Sequence, residues 1–160
     1  MNARDAIRLS IATAEMVVQP YLADLSDADL MRRAAPGINH INWQIGHLIT
    51  AEHQMVAGVA PDAMPALPAG FAEKYGKATA TSDDASQFLT KDELLKIAAE
   101  QRAGTLKALD AQTDESLDKA TGIEYAPTVG ALFSLQGAHW LMHAGQWAVV
   151  RRQLGRAPLF

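Results

Sequence analysis

At 160 residues, with 49% hydrophobic and 20% charged side chains, the chain has the make-up of one globular domain over 1–160, large enough to bury a core. A formal charge of −4 with dispersed Lys and Arg leaves no basic footprint for nucleic acid. No apolar run reaches the roughly 20 residues that a bilayer span requires, so no membrane partner is expected. Cysteine is absent, which excludes disulfides, thiolate metal ligands and a cysteine nucleophile, and any sulfur chemistry must use an external thiol. The charged N-terminus carries no signal-peptide pattern, and a cytoplasmic location is expected.

Helical periodicity predicts a first helix from Asn2 to Gln19, with Ile7, Ile11, Ala14 and Val18 on one face and Pro20 as its end. A short turn is expected over Asp27–Arg33, where Ser26 and Asp29 form a cap with a supporting acid, before Pro36-Gly37 breaks the chain. The second long helix is predicted from Ile38 or Asn39 to Val56, stopping near Gly58. Residues 60–86, punctuated by Pro61, Pro65, Pro68, Gly70 and Gly76, are expected to form a long connection across the molecule. Connections of that length inside a compact domain are often functional.

The third helix has the clearest start, because Thr90 and Glu93 make a capping box; Leu94, Leu95, Ala98, Leu106 and Leu109 carry it to Ala111. A polar link, 112–127, leads to the fourth helix, which starts after the N-cap Thr128 and stops at Gly155. No strand is predicted. Four such helices define an all-α fold, a four-helix bundle whose long connection allows a crossover.

Within the fourth helix, His139 and His143 are one turn apart and share a face. Gln136 and Gln146 extend that stripe to either side, in an otherwise apolar face that includes Leu132, Leu135 and Val150. Burying such polar groups is costly unless they are paired or hold an ion. On the second helix, His47 offers a third imidazole with Gln44 beside it. Three imidazoles with an open position suit a metal that does chemistry, and glutamines can orient the rings through their other nitrogens. Glu52, five residues beyond His47, is the candidate fourth ligand or base.

His40 is about 10 Å from His47 along the helix axis, too far to share an ion. His53 points to another side. Both are expected to be ordinary surface or satisfied core residues. Trp43, Trp140 and Trp147 are expected to pack in the core. The pairs Arg32-Arg33 and Arg151-Arg152 are expected to be solvated surface charges. On spacing alone, a bundle whose histidines merely bond one another stays open beside the metal centre.

The run Asn42-Trp43-Gln44-Ile45-Gly46-His47-Leu48, followed by His139-x-x-x-His143-Ala144-Gly145-Gln146, resembles the DinB-like superfamily of metal-binding helical bundles. Pro36 to His40 and the closing Leu154 to Phe160 extend the likeness over most of the chain. The resemblance implies a four-helix bundle with a long crossover, often a homodimer. It also implies a divalent ion such as nickel, zinc or iron on His47, His139 and His143. Relatives in that superfamily include metal-dependent S-transferases and an isomerase that use low-molecular-weight thiols, so a small-molecule substrate, hydrolase or thiol-transferase chemistry and an external thiol are implied only as classes. A non-catalytic metal-binding stress or assembly module is the alternative.

Overall fold

The computed structural model describes all 160 residues. Four long helices form the bundle: α1 (Ala3–Ala23), α3 (Ile41–Val59), α5 (Lys91–Asp110) and α7 (Val129–Gln153). Short helices α2 (Asp27–Leu30), α4 (Phe71–Lys74) and α6 (Asp114–Leu117) lie in the connections. Around the bundle α7 packs between α1 and α3, and α3 packs between α7 and α5. The chain therefore steps diagonally from α1 to α3 and again from α5 to α7. The α1–α5 seam is the loose one, leaving a groove of about 420 Å³ lined by small and apolar residues such as Ala14, Val18 and Ala98, with Arg102 and Trp140 also in its wall.

The helix starts follow the caps that the residues provide. Asn2 with Asp5, Ser26 with Asp29, and Thr90 with Glu93 form reciprocal capping boxes, and the Thr128 hydroxyl accepts from the Ala131 amide. Gly155 has a φ of 73°, the left-handed conformation of a glycine stop. Gly137 lets α7 press against α1, because a Cβ there would lie 3.1 Å from the Ile11 Cα and the Ser10 carbonyl.

Several local expectations are corrected. Pro20 lies inside α1, which continues to Ala23; the final turn buries Leu22 at 1% exposure, and that packing outweighs one missing backbone donor. The 112–127 link holds a hairpin that was not expected, β1 (Ala120–Ile123) antiparallel to β2 (Ala126–Thr128), with Gly122 at a φ of 76°. Arg33 and Arg151 are not solvated charges. Arg33 donates to the carbonyls of Ile38, Ala80 and Ser82 and pairs with Asp83, and Arg151, 3% exposed, pairs with Asp24 and the Tyr21 carbonyl.

The 60–86 connection has short turns and α4 in it, and it packs as part of the core. Phe71 and Tyr75 are both 2% exposed within the larger apolar cluster. Gly46 of α3 makes room for this packing, since a Cβ on it would fall 2.1 Å from the Tyr75 ring. Gly46→Ala must push that ring away and should lower stability by an amount at or beyond the top of the usual overpacking range of about 1–3 kcal/mol. Urea unfolding monitored by helicity measures it.

His40 caps α3: its Nδ1 accepts from the Trp43 amide at 3.0 Å, which leaves the ring hydrogen on a fully buried Nε2. Burial, helped by the Arg33 cation, lowers this imidazole from 6.5 to about 4. The folded chain thus refuses a proton that the unfolded chain takes up. The stability this confers is complete above about pH 6.5 and is lost as pH falls toward about 4. Metal-free protein should accordingly unfold at lower urea as it is acidified across that window, and His40→Asn, which keeps a capping acceptor without a titrating ring, should flatten part of the slope.

Candidate metal centre

α3 and α7 pack face to face, and their contact brings the three expected histidines together. One ligand atom from each of His47, His139 and His143 lies within 4.8 Å of the others. Three nitrogens each about 2.0–2.1 Å from one tetrahedral ion lie roughly 3.4 Å from one another, so the rings must close in by up to about 1.4 Å to share an ion. The ring centroids are 5.4 Å apart for His47 and His139, 5.8 Å for His47 and His143, and 5.1 Å for His139 and His143. None of the three is exposed, and partial burial lowers the pKa of each. The His143 ring is held lowest, at about 4, by burial first and then by its two histidine neighbours. Neutral imidazoles are what a metal needs, and the donor set fits a first-row divalent ion.

Gln44 organises one side of this cluster. The Trp147 indole N–H, which can only donate, lies 2.8 Å from Gln44 Oε1, so that atom is the amide oxygen. The same oxygen is 3.1 Å from His143 Nδ1, which must therefore carry its hydrogen and donate. His143 Nε2 is then left as the free lone pair. The Gln44 amide nitrogen donates to the Asn39 carbonyl at 2.6 Å and to Gln146 Oε1 at 2.8 Å. Gln44→Leu removes the acceptor that sets the ring's tautomer, and metal affinity should fall about 10–100-fold. Competition against a chromophoric chelator measures that loss.

The other residues singled out in the sequence fall as follows. Gln146 hydrogen-bonds no imidazole; its Oε1 accepts from the Gln44 amide, through which it acts. Gln136 donates to the Leu132 carbonyl at 2.7 Å, lies 3.5 Å from Met55 Sδ, and hydrogen-bonds no histidine. Glu52 is not brought into the cluster. Its oxygens accept from Arg102 Nη2 at 3.0 Å, Thr105 Oγ1 at 2.7 Å and Trp140 Nε1 at 3.2 Å, and the side chain is 2% exposed. Burial pushes this carboxyl up, against the opposing pull of those three donors. His53 contacts Gln101 Oε1 at 2.9 Å and takes no part.

Trp43 was expected to pack in the core. It is buried, but its ring also stacks on His47, with centroids 5.2 Å apart and planes 5° from parallel. Its indole donates to the Gly76 carbonyl and the Thr79 hydroxyl, both at 3.2 Å. The long connection thereby braces a ligand. The spacing of Trp43 and His47, one helical turn, carried that signal.

Beside the cluster opens a cleft of about 510 Å³, with His47 and His139 in its wall alongside Met55, Leu135, Met142 and Tyr125. No lysine, arginine or carboxylate lines it.

Residues 10–147 match the family model described as the DinB superfamily, and the chain belongs to that family. Its fold is similar to the crystal structure of a conserved protein from Enterococcus faecalis, with a TM-score of 0.72 and 17% identity, covering 98% of this chain and 99% of that one. At that identity the likeness speaks for the fold alone. No curated protein matches the sequence. No helix is long and apolar enough to cross a membrane.

Proposed function

We propose that this DinB-superfamily protein binds one divalent metal ion through His47, His139 and His143 and uses it in hydrolase or thiol S-transferase chemistry. The convergence of three ligand atoms within 4.8 Å carries the metal assignment. When bound, such an ion acts as a Lewis acid that acidifies a water or an external low-molecular-weight thiol. The chain's own part is positional. Gln44 holds the His143 tautomer, Trp43 holds the plane of His47, and the cleft beside His47 and His139 gives a small molecule room to reach them. Glu52 is assigned a structural role beside Arg102 and not that of a base.

The cleft of about 510 Å³ favours turnover over a purely structural or assembly role, for which a cavity opening on the histidines has no use. Homodimerisation in a cytoplasmic setting remains part of the proposal, and sedimentation at several protein concentrations addresses the oligomeric state. Metal analysis after purification, followed by thiol-conjugation and ester-hydrolysis assays with and without chelator, tests the rest. Stoichiometric metal with chelator-sensitive turnover is expected. Turnover indifferent to chelator would sink the metal-dependent reading.

A further inference from the structure

The hairpin between α6 and α7 has no part in holding the histidines, yet its tip stands over their cleft. Tyr125, in the turn between β1 and β2, lines the cleft and is 71% exposed as a residue. The tip is not a loose loop. Ala126, the next residue, is fully buried, the Thr121 hydroxyl donates to the Ala126 carbonyl, and the Ile123 amide donates to that hydroxyl at 3.0 Å. At the base, the Val129 amide donates to the Lys119 carbonyl at 2.9 Å, and β2 runs directly into the capped start of α7. A large aromatic ring is thus held by a pinned backbone, unburied, beside a cleft whose other walls carry two methionine thioethers, a leucine, an alanine and the Gln54 amide, besides His47 and His139. Thioethers pack well against aromatic rings and adapt to their outline. A tyrosine face offers a stacking partner at little conformational cost.

We propose that Tyr125, with Met55 and Met142, forms a subsite for a flat apolar group, most simply an aromatic ring, on the substrate of the three-histidine centre. The proposal rests on the metal reading above and names the substrate class that the centre would serve. Tyr125 is a specificity-determining residue here, acting through its ring and not its hydroxyl.

The test uses zinc-loaded protein and two chelating probes that differ only in their side group, acetohydroxamate and benzohydroxamate, titrated by calorimetry. Benzohydroxamate should bind about tenfold or more tightly than acetohydroxamate, the gain expected from partly burying one phenyl ring. Tyr125→Ala should cut that preference to about threefold or less with acetohydroxamate affinity unchanged, and Tyr125→Phe should keep it. Equal affinities for the two probes in the unaltered protein, or a preference that survives Tyr125→Ala, would overturn the subsite. Zinc retained but neither probe bound also overturns it and leaves the metal assignment standing. A chain that holds no zinc at all removes both. Because Tyr125 is exposed, unchanged thermal unfolding of the variants separates a lost contact from a lost fold.

Discussion

Replacing His139 with alanine should abolish stoichiometric metal binding while leaving a folded bundle. His139 contributes one of the three ligand atoms, and its ring is only partly buried between His47 and His143. Two imidazoles remain, and two ligands hold an ion far more weakly than three. Loss of a residue that merely orients a ligand costs about 10–100-fold in affinity, so loss of a ligand itself should cost more than about a hundredfold. The apo protein should melt close to where the unaltered apo protein melts. Added zinc should raise the melting point of the unaltered chain and not that of the variant, since only a ligand bound to the native state shifts it. Metal content by elemental analysis and melting with and without zinc are the two measurements. A variant that retains one ion per chain would remove His139 from the centre.

The second large effect belongs to Glu52. Its carboxylate compensates Arg102, a guanidinium that is itself nearly buried, with Thr105 and Trp140 completing its hydrogen bonds. Glu15 stands 3.7 Å from the same arginine but is partly exposed and contributes less. Glu52→Leu strands the Arg102 charge in the interior, where breaking one partner of a buried pair costs about 3–5 kcal/mol. Glu52→Gln keeps two acceptor lone pairs facing the same donors and should cost markedly less. Urea unfolding of both variants gives the comparison. If Glu52 instead served as a base, Glu52→Gln would remove activity while leaving metal content and stability close to normal, which is the opposite order of effects.

Much of this arrangement is written in short-range chemistry. The Thr90–Glu93 box, the Thr128 cap and the glycine at 155 are local signals, and the helix ends follow them. The His139–His143 pair is legible for the same reason, as four residues of helix place both rings on one side whatever surrounds them. What depends on how helices meet was harder to read. Gln136 lies on the same stripe as His139, but the rotation of α7 against α3 turns its amide toward Met55 and Leu132. Gln146 reaches only Gln44. Glu52 follows His47 by five residues, and that offset turns it toward α5 and Arg102. The hairpin is not legible in the sequence, because strands of four and three residues carry too few side chains to establish an alternating pattern. Pro20 does not end α1, because late helical packing, invisible in local propensity, carries the helix one turn further.

The brace on Trp43 has a consequence that reaches well beyond the bundle core. Residues 60–86 supply no atom to the ion, yet the Gly76 carbonyl and Thr79 hydroxyl fix the indole against which His47 lies flat. Nicking that segment with a protease, or exchanging its length and composition, would loosen an imidazole to which it makes no hydrogen bond. Chains sharing these three histidines but differing in that insert would then hold the same ion with different grip, a dial set from outside the ligand set.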